Sequence, residues 1–234
     1  MREIYQSEDG LVEVDINAFA YSQKYDWLFS VFVKFDSLDE TQDGYEEFLE
    51  TKEALIISLE LDDMAKYVGM RVVDGWSELY FYAKTSKSLD KTVSKILTPS
   101  NYMYESNVVK DTKWDFYQHT LYPDELQLHH IESEKIISML KEEGDINEEV
   151  REVEHYVSFL TPTQKQKFLD SFSVDGFEFK DEVSSEEFEN GLAFVKQHSV
   201  DFETVKKEVE LLFETVKKQN GFYEGWSTVL VTDR

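Results

Sequence analysis

The fold is decided by Glu152-Val-Glu-His-Tyr-Val-Ser-Phe-Leu160, followed at once by Thr161-Pro162-Thr163-Gln164. Val153, His155, Val157 and Phe159 alternate with polar neighbours, so they share one face of a strand. Thr161 lies three residues before Gln164 with Pro162 at the first helical position, a capping-box start for a helix. Phe168, Leu169 and Phe172 give that helix a buried side, and Gly176 can end it. A strand pair is predicted next, over 177–183 and 191–197. Asp201 then opens a helix with the stripe Phe202, Val205, Val209, Leu212, Phe213 and Val216, ended by Gly221. Residues 222–231 read as the last strand, and a lead-in helix over 129–143, closed by Gly144, precedes the whole.

The first half follows the same design. Residues 11–19 alternate Val12, Val14 and Ile16 with polar neighbours. Over 27–35, Trp27, Phe29, Val31, Val33 and Phe35 share one face and Leu28 and Phe32 the other, which predicts a strand covered on both sides. Tyr45, Phe48, Leu49, Ile56 and Leu59 have helical spacing. Residues 67–73 and 78–84 flank Asp74-Gly75-Trp76, a hairpin signal. Ser88 is placed to cap a helix carrying Leu89, Val93, Ile96 and Leu97, with Pro99 beyond its end. Residues 101–110 are extended, and Trp114 to Pro123 reads as a closing strap and linker. Each half is thus strand–helix–strand–strand–helix–strand. The expected fold class is α+β: two ferredoxin-like (split βαβ) α/β sandwich domains, over 1–125 and 126–234, with antiparallel sheets each covered by helices.

Charge excludes one class of partner. Lys+Arg number 24 and Asp+Glu 49, a net of −25 in 234 residues. Residues 1–128 hold 12 basic and 25 acidic side chains and residues 129–234 hold 12 and 24, so the charge belongs to both halves. A direct nucleic-acid binder needs a basic footprint, and neither half supplies one. Tyr80, Phe81 and Tyr82 resemble a base-stacking set but lack the Lys and Arg that would hold phosphates. With 41% apolar residues and 17 Phe, 13 Tyr and 4 Trp, the chain has the material for packed cores. The absence of Cys removes disulfides, thiol nucleophiles and thiolate metal sites. The opening Met-Arg-Glu-Ile-Tyr-Gln has no signal-peptide core, and no run is long enough for a membrane span, so the expectation is a cytoplasmic protein.

Catalytic patterns are lacking. There is no GxGxxG, GxxxxGK[ST] or GxSxG. His129 and His130 are adjacent, so on a helix their rings diverge and do not share a metal. Glu60, Asp62 and Asp63 lack the spacing of a calcium loop. Acidic pairs such as Glu46-Glu47 and Glu186-Glu187 read as solvated faces or turns. Lys206-Lys207 and Lys217-Lys218 stand among Glu203, Glu208, Glu210 and Glu214, a pattern of i,i+4 support. His155 reads as a hydrogen-bonded strand histidine; the rival use is a hydrolase pairing it with a carboxylate.

Two sets of residues carry a family resemblance. Arg151-Glu-Val-Glu-His-Tyr-Val-Ser-Phe159, the capped helix and Gly221-Phe-Tyr-Glu-Gly-Trp226 make roughly residues 128–234 similar to the regulator of ribonuclease E activity B family, with Glu224 in place of the usual Asp. Val68-Gly-Met-Arg-Val-Val-Asp-Gly-Trp-Ser-Glu-Leu-Tyr-Phe-Tyr82 and Asp111-Thr-Lys-Trp-Asp-Phe-Tyr-Gln-His-Thr-Leu-Tyr-Pro123 make roughly residues 10–125 resemble the bacterial domain of unknown function 695, often joined to the other type. The resemblance implies a non-catalytic protein, with no cofactor or metal, that docks on an endoribonuclease. Its signature positions are Gly75, Trp76, Tyr82, Trp114, Tyr117, Pro123, His155, Tyr223, Gly225 and Trp226, expected to be structural. The function expected is regulation by protein–protein binding to a ribonuclease or other basic partner, through acidic surface and without direct nucleic-acid or membrane binding. The alternative is a small-molecule-binding module with a pocket between the two domains.

Overall fold

The computed structural model describes residues 2–7, 10–35, 43–100, 102–184 and 189–232; the Glu186-Glu187 pair lies outside them. The chain is α+β and forms two compact units, Met1–Pro123 and Asp124–Arg234, each with its own antiparallel sheet.

The first unit runs β1 (Arg2–Ser7), β2 (Gly10–Asp15), β3 (Trp27–Val33), α1 (Tyr45–Glu60), β4 (Ala65–Val73), β5 (Trp76–Ala83), α2 (Leu89–Leu97) and β6 (Tyr104–Lys110). Its six strands lie in the order β1-β2-β4-β5-β3-β6. The β4–β5 turn forms as its sequence predicts: Asp74 and Gly75 both take positive φ, 50° and 78°, and Val73 pairs with Trp76. Two positive φ values match the twist of the strands they join, and Asp-Gly tolerates them best. Phe48, Leu55, Ile56 and Leu59 of α1 and Leu89, Val93 and Leu97 of α2 close over Phe29, Val31, Leu79 and Phe81.

Two expectations for this unit are corrected. Arg2–Ser7 is a strand paired with β2, so the sheet has six strands: the five extended segments read from the sequence and this one, against the four of a plain split βαβ unit. Only Tyr5 of β1 is buried, so the segment lacks the apolar alternation that marks a strand. Ser88 occupies the N-cap of α2, but its φ is 69° and its side chain makes no capping hydrogen bond. A left-handed residue cannot aim its hydroxyl as an extended cap does.

Residues 114–122 do form a strap. They cover the sheet face opposite the helices and contain a π-helical turn at Tyr117–Leu121. Trp114 lies flat on Tyr82, with ring centroids 3.8 Å apart at 9°, and Phe116 lies 4.5 Å from Tyr80. Tyr5 donates to Leu121 O at 2.9 Å, pinning the strap to the first hairpin. The strap explains why β5 carries buried aromatic side chains on this face as well as on the helix-covered one.

The second unit runs α3 (Glu125–Glu142), β7 (Arg151–Phe159), α4 (Pro162–Ser171), β8 (Glu178–Val183), β9 (Gly191–His198), α5 (Phe202–Lys217) and β10 (Gly221–Thr228). The sheet order is β10-β7-β9-β8. Asp124 and Gln127 form a full capping box at α3, and Asp201 caps α5 through Thr204 N. Thr161 caps α4 by accepting from Gln164 N, but the reciprocal half expected of a box is not made. Its hydroxyl donates to Gln164 Oε1 instead, which holds that amide away from the Thr161 backbone. All three helices press on one sheet face, where Val153, Val157, Phe159, Leu192, Phe194, Tyr223 and Trp226 form the core with Phe168, Val205, Val209 and Leu212. Burying such side chains stabilises by about 1.5–3 kcal/mol each before conformational entropy is counted.

Candidate functional site

His155 lies at the centre of the second unit, fully buried on the helix-covered face of β7. Its Nδ1 is 2.8 Å from the Tyr223 hydroxyl and its Nε2 is 3.2 Å from His198 Nε2. His198 Nδ1 is 2.7 Å from Ser199 O, a group that can only accept. This fixes the proton order by assignment. His198 Nδ1–H donates to Ser199 O, so neutral His198 accepts at Nε2. His155 Nε2–H donates there, and Tyr223 donates to His155 Nδ1. Every group in the chain is satisfied with both rings neutral. Burial lowers the His155 pKa to about 3, with His198 and Lys196 adding repulsion, and burial also holds His198 below its ordinary value. Burial raises the Tyr223 hydroxyl well above its usual range. No carboxylate hydrogen-bonds to His155 among the described residues, so the hydrolase arrangement is not assembled.

The Gly221-to-Trp226 signature has a local explanation. In a regular strand Tyr223 and Trp226, three residues apart, point to opposite faces. Here the register shifts between Tyr223 and Gly225, so Tyr223 pairs with Val157 and Trp226 with His155, and both face the core. Gly225 has φ 120°, which an L side chain rarely adopts, so glycine makes this bulge possible. Trp226 Nε1–H then donates to Ser133 of α3 at 2.9 Å, tying the lead-in helix to the sheet. The bulge turns Glu224 to the other face, where it accepts from Ser158.

That other face carries no helix of this unit among the described residues. Glu152, Glu154 and Tyr156 of β7 share it with Val195 of β9 and Phe222 of β10. Lys180, at a bulge in β8, reaches Glu152 at 2.9 Å and Glu154 at 2.7 Å.

In the first unit the signature residues meet under the strap. Tyr82, Trp114 and Tyr117 are all buried, and Pro123 is buried at the end of the segment. The Tyr82 hydroxyl donates to Asp111 Oδ2 at 2.6 Å and accepts from Tyr117 N–H at 3.3 Å. Burial first, then this carboxylate, raises its pKa. Trp114 Nε1–H donates to Tyr25 O at 2.7 Å, and Tyr117 donates to Asp15 O at 2.8 Å. Trp114 itself has φ 59°, a strained conformation for a bulky residue, held by its stack and its hydrogen bond. Gly75 and Trp76 stand apart from this cluster, at the β4–β5 turn, where Lys34 lies over the Trp76 ring.

Two buried ionic groups were not legible in the sequence. Glu13 Oε2 meets Lys52 Nζ at 2.5 Å and Glu13 Oε1 accepts from Tyr67 at 2.8 Å, inside the first core. Arg151 meets Asp145 at 2.5 Å and also donates to Val229 O, Ile146 O and Glu149 O, gathering three segments around one guanidinium. The i,i+4 support expected on α5 is made by Lys218 and Glu214, whereas Glu208 is buried and pairs with Lys196, and Lys217 pairs with Glu125. Among the described residues no group of three or more His, Cys, Asp or Glu is arranged to hold a metal ion, and no helix is long and apolar enough to cross a membrane.

No curated protein matches the chain. Residues 10–122 match the model of the Family of unknown function (DUF695), and residues 130–228 match that of Regulator of ribonuclease activity B, in the order that the quoted motifs indicate.

Proposed function

We propose that this protein is a non-catalytic regulator that acts by binding another protein, with a ribonuclease as the partner. The observation that carries this reading is the match of residues 130–228 to Regulator of ribonuclease activity B. Two features support it. The His155 relay is neutral, buried and fully hydrogen-bonded, which suits a structural role better than proton transfer. The net charge of −25 suits a basic protein partner and opposes nucleic acid.

The fold reading belongs here as well. In each unit the strands joined through a helix flank one antiparallel strand: β3 and β4 flank β5, and β7 and β8 flank β9. That is the split βαβ connection of ferredoxin-like sandwiches, with β1 and β2 appended to the first. The domains are then 1–125 and 126–234 as read from the sequence, the signature residues serve a structural role within each, and the site of action is the cytoplasm of a bacterium.

The test is RNA cleavage by the endoribonuclease of the same cell, followed with increasing amounts of this protein. Cleavage should slow saturably. Unchanged cleavage at a large excess would overturn the reading.

A further inference from the structure

The three helices of the second unit pack on one sheet face; on the opposite face Glu152, Glu178, Glu224 and Phe222 are exposed, while Ser158 and Ala193 are buried. Outward carboxylates on it are Glu152, Glu154, Glu178, Asp181 and Glu224. Lys180 is the cation placed among them, bridging Glu152 and Glu154. A depression of about 270 Å³ is lined there by Glu152, Gly176, Glu178, Val195, Lys196 and Gln197; the Lys196 ammonium pairs with Glu208. Two carboxylates beside Val195 fit an alkyl stem ending in a planar cation. Phe222 and Tyr156 extend the same face with aromatic surface that a guanidinium can stack on.

We propose that this face is the docking surface for an arginine-bearing segment of a partner protein, and that Lys180 is an internal cation which the partner's arginine displaces from Glu152 and Glu154. The proposal rests on the regulatory reading above and adds the surface, the chemistry of the partner and a built-in competitor. Charge complementarity selects the occupant. Five carboxylates against Lys180, with the ammoniums of Lys196 and Lys217 held by Glu208 and Glu125, leave the face anionic. An arginine guanidinium presents a planar fork of N–H donors that matches both oxygens of one carboxylate, where the Lys180 ammonium reaches one oxygen of each glutamate. The Lys180 pairs are solvent-exposed, so they are weak enough to exchange.

The experiment uses the full chain and a fluorescein-labelled oligoarginine peptide, read by anisotropy, with each variant checked for folding by circular dichroism. Replacing Glu152, Glu154 and Glu178 by Gln should weaken binding about tenfold. The charge-matched set Glu142→Gln, Glu203→Gln and Glu210→Gln, all exposed on helices, should weaken it less than about twofold. Lys180→Gln should tighten binding several-fold, and Lys218→Gln, which removes the same charge elsewhere, should not. Equal losses for both glutamate sets, or weaker binding by Lys180→Gln, would overturn the proposal. The ribonuclease serves as a second arm. If it binds the parent and the face variants equally, the surface assignment falls and the regulatory reading stands. If it binds neither while the peptide still discriminates, the regulatory reading falls and the surface stands.

Discussion

Acidification should open the second unit through His155. The ring is buried and neutral, and its Nδ1 is occupied by the Tyr223 hydroxyl. Protonating it would place a second N–H against that hydroxyl and a charge in a site with no carboxylate partner. Its folded pKa is about 3, against 6.5 for the free group, with burial the largest cause. Between those values the unfolded chain holds one proton more than the folded one. Stability therefore falls as pH falls through that window, and the contribution is fully present above the unfolded pKa. A full one-proton difference changes stability by about 1.4 kcal/mol per pH unit, so going from about pH 7 to about pH 5 costs roughly 2 kcal/mol through this residue alone. His198, lowered chiefly by burial, acts in the same direction. Amide hydrogen exchange of β7 and β9 is the assay, because it reports opening of this unit separately from the first. The parent should lose protection on acidification, and His155→Gln, which cannot titrate, should lose about 2 kcal/mol less over the same interval. Unchanged protection of the parent, or an equal loss in His155→Gln, would refute the neutral buried relay.

Three further outcomes follow from the packing. Glu13→Ala leaves Lys52 charged in the first core and should destabilise that unit by about 3–5 kcal/mol, whereas Glu13→Leu combined with Lys52→Met should recover most of the loss in thermal denaturation. Trp114→Ala removes the fully buried indole that covers Tyr82 and should cost about 3–5 kcal/mol in urea unfolding. Tyr82→Phe, which keeps the stack and loses only the bond to Asp111, should cost less. Gly225→Val forces a β-branched residue to a φ of 120°; a cost of about 1–3 kcal/mol is expected, with loss of the Trp226–Ser133 bond visible as a shift of the indole N–H resonance.

What the sequence disclosed depended on how local each signal was. Asp74-Gly75 announced its turn because the residue types themselves tolerate positive φ. The stripe of α5 announced its helix because Val205, Val209 and Leu212 face one core. The strand β1 escaped notice because Tyr5 alone is buried, and its partner β2 supplies the pairing. The strap was visible as a segment, but its coverage of the second sheet face depends on contacts between positions as far apart as Tyr82 and Trp114. His155 was legible as a hydrogen-bonded strand histidine; its partner His198 was not, since 43 residues separate them. The bulge at Gly225 was not legible in the sequence, where 222–231 reads as a regular strand; only the register shows Tyr223 and Trp226 on one face. The Glu13–Lys52 pair was not legible, since 39 residues separate its members.

The most direct test of the regulatory account is the equilibrium affinity of the purified chain for the endoribonuclease of its own cell, measured calorimetrically at low and at high salt. The account predicts saturable binding that weakens as salt rises, with no RNA present. Absence of binding at low salt, where an acidic protein meets a basic partner most strongly, would contradict it.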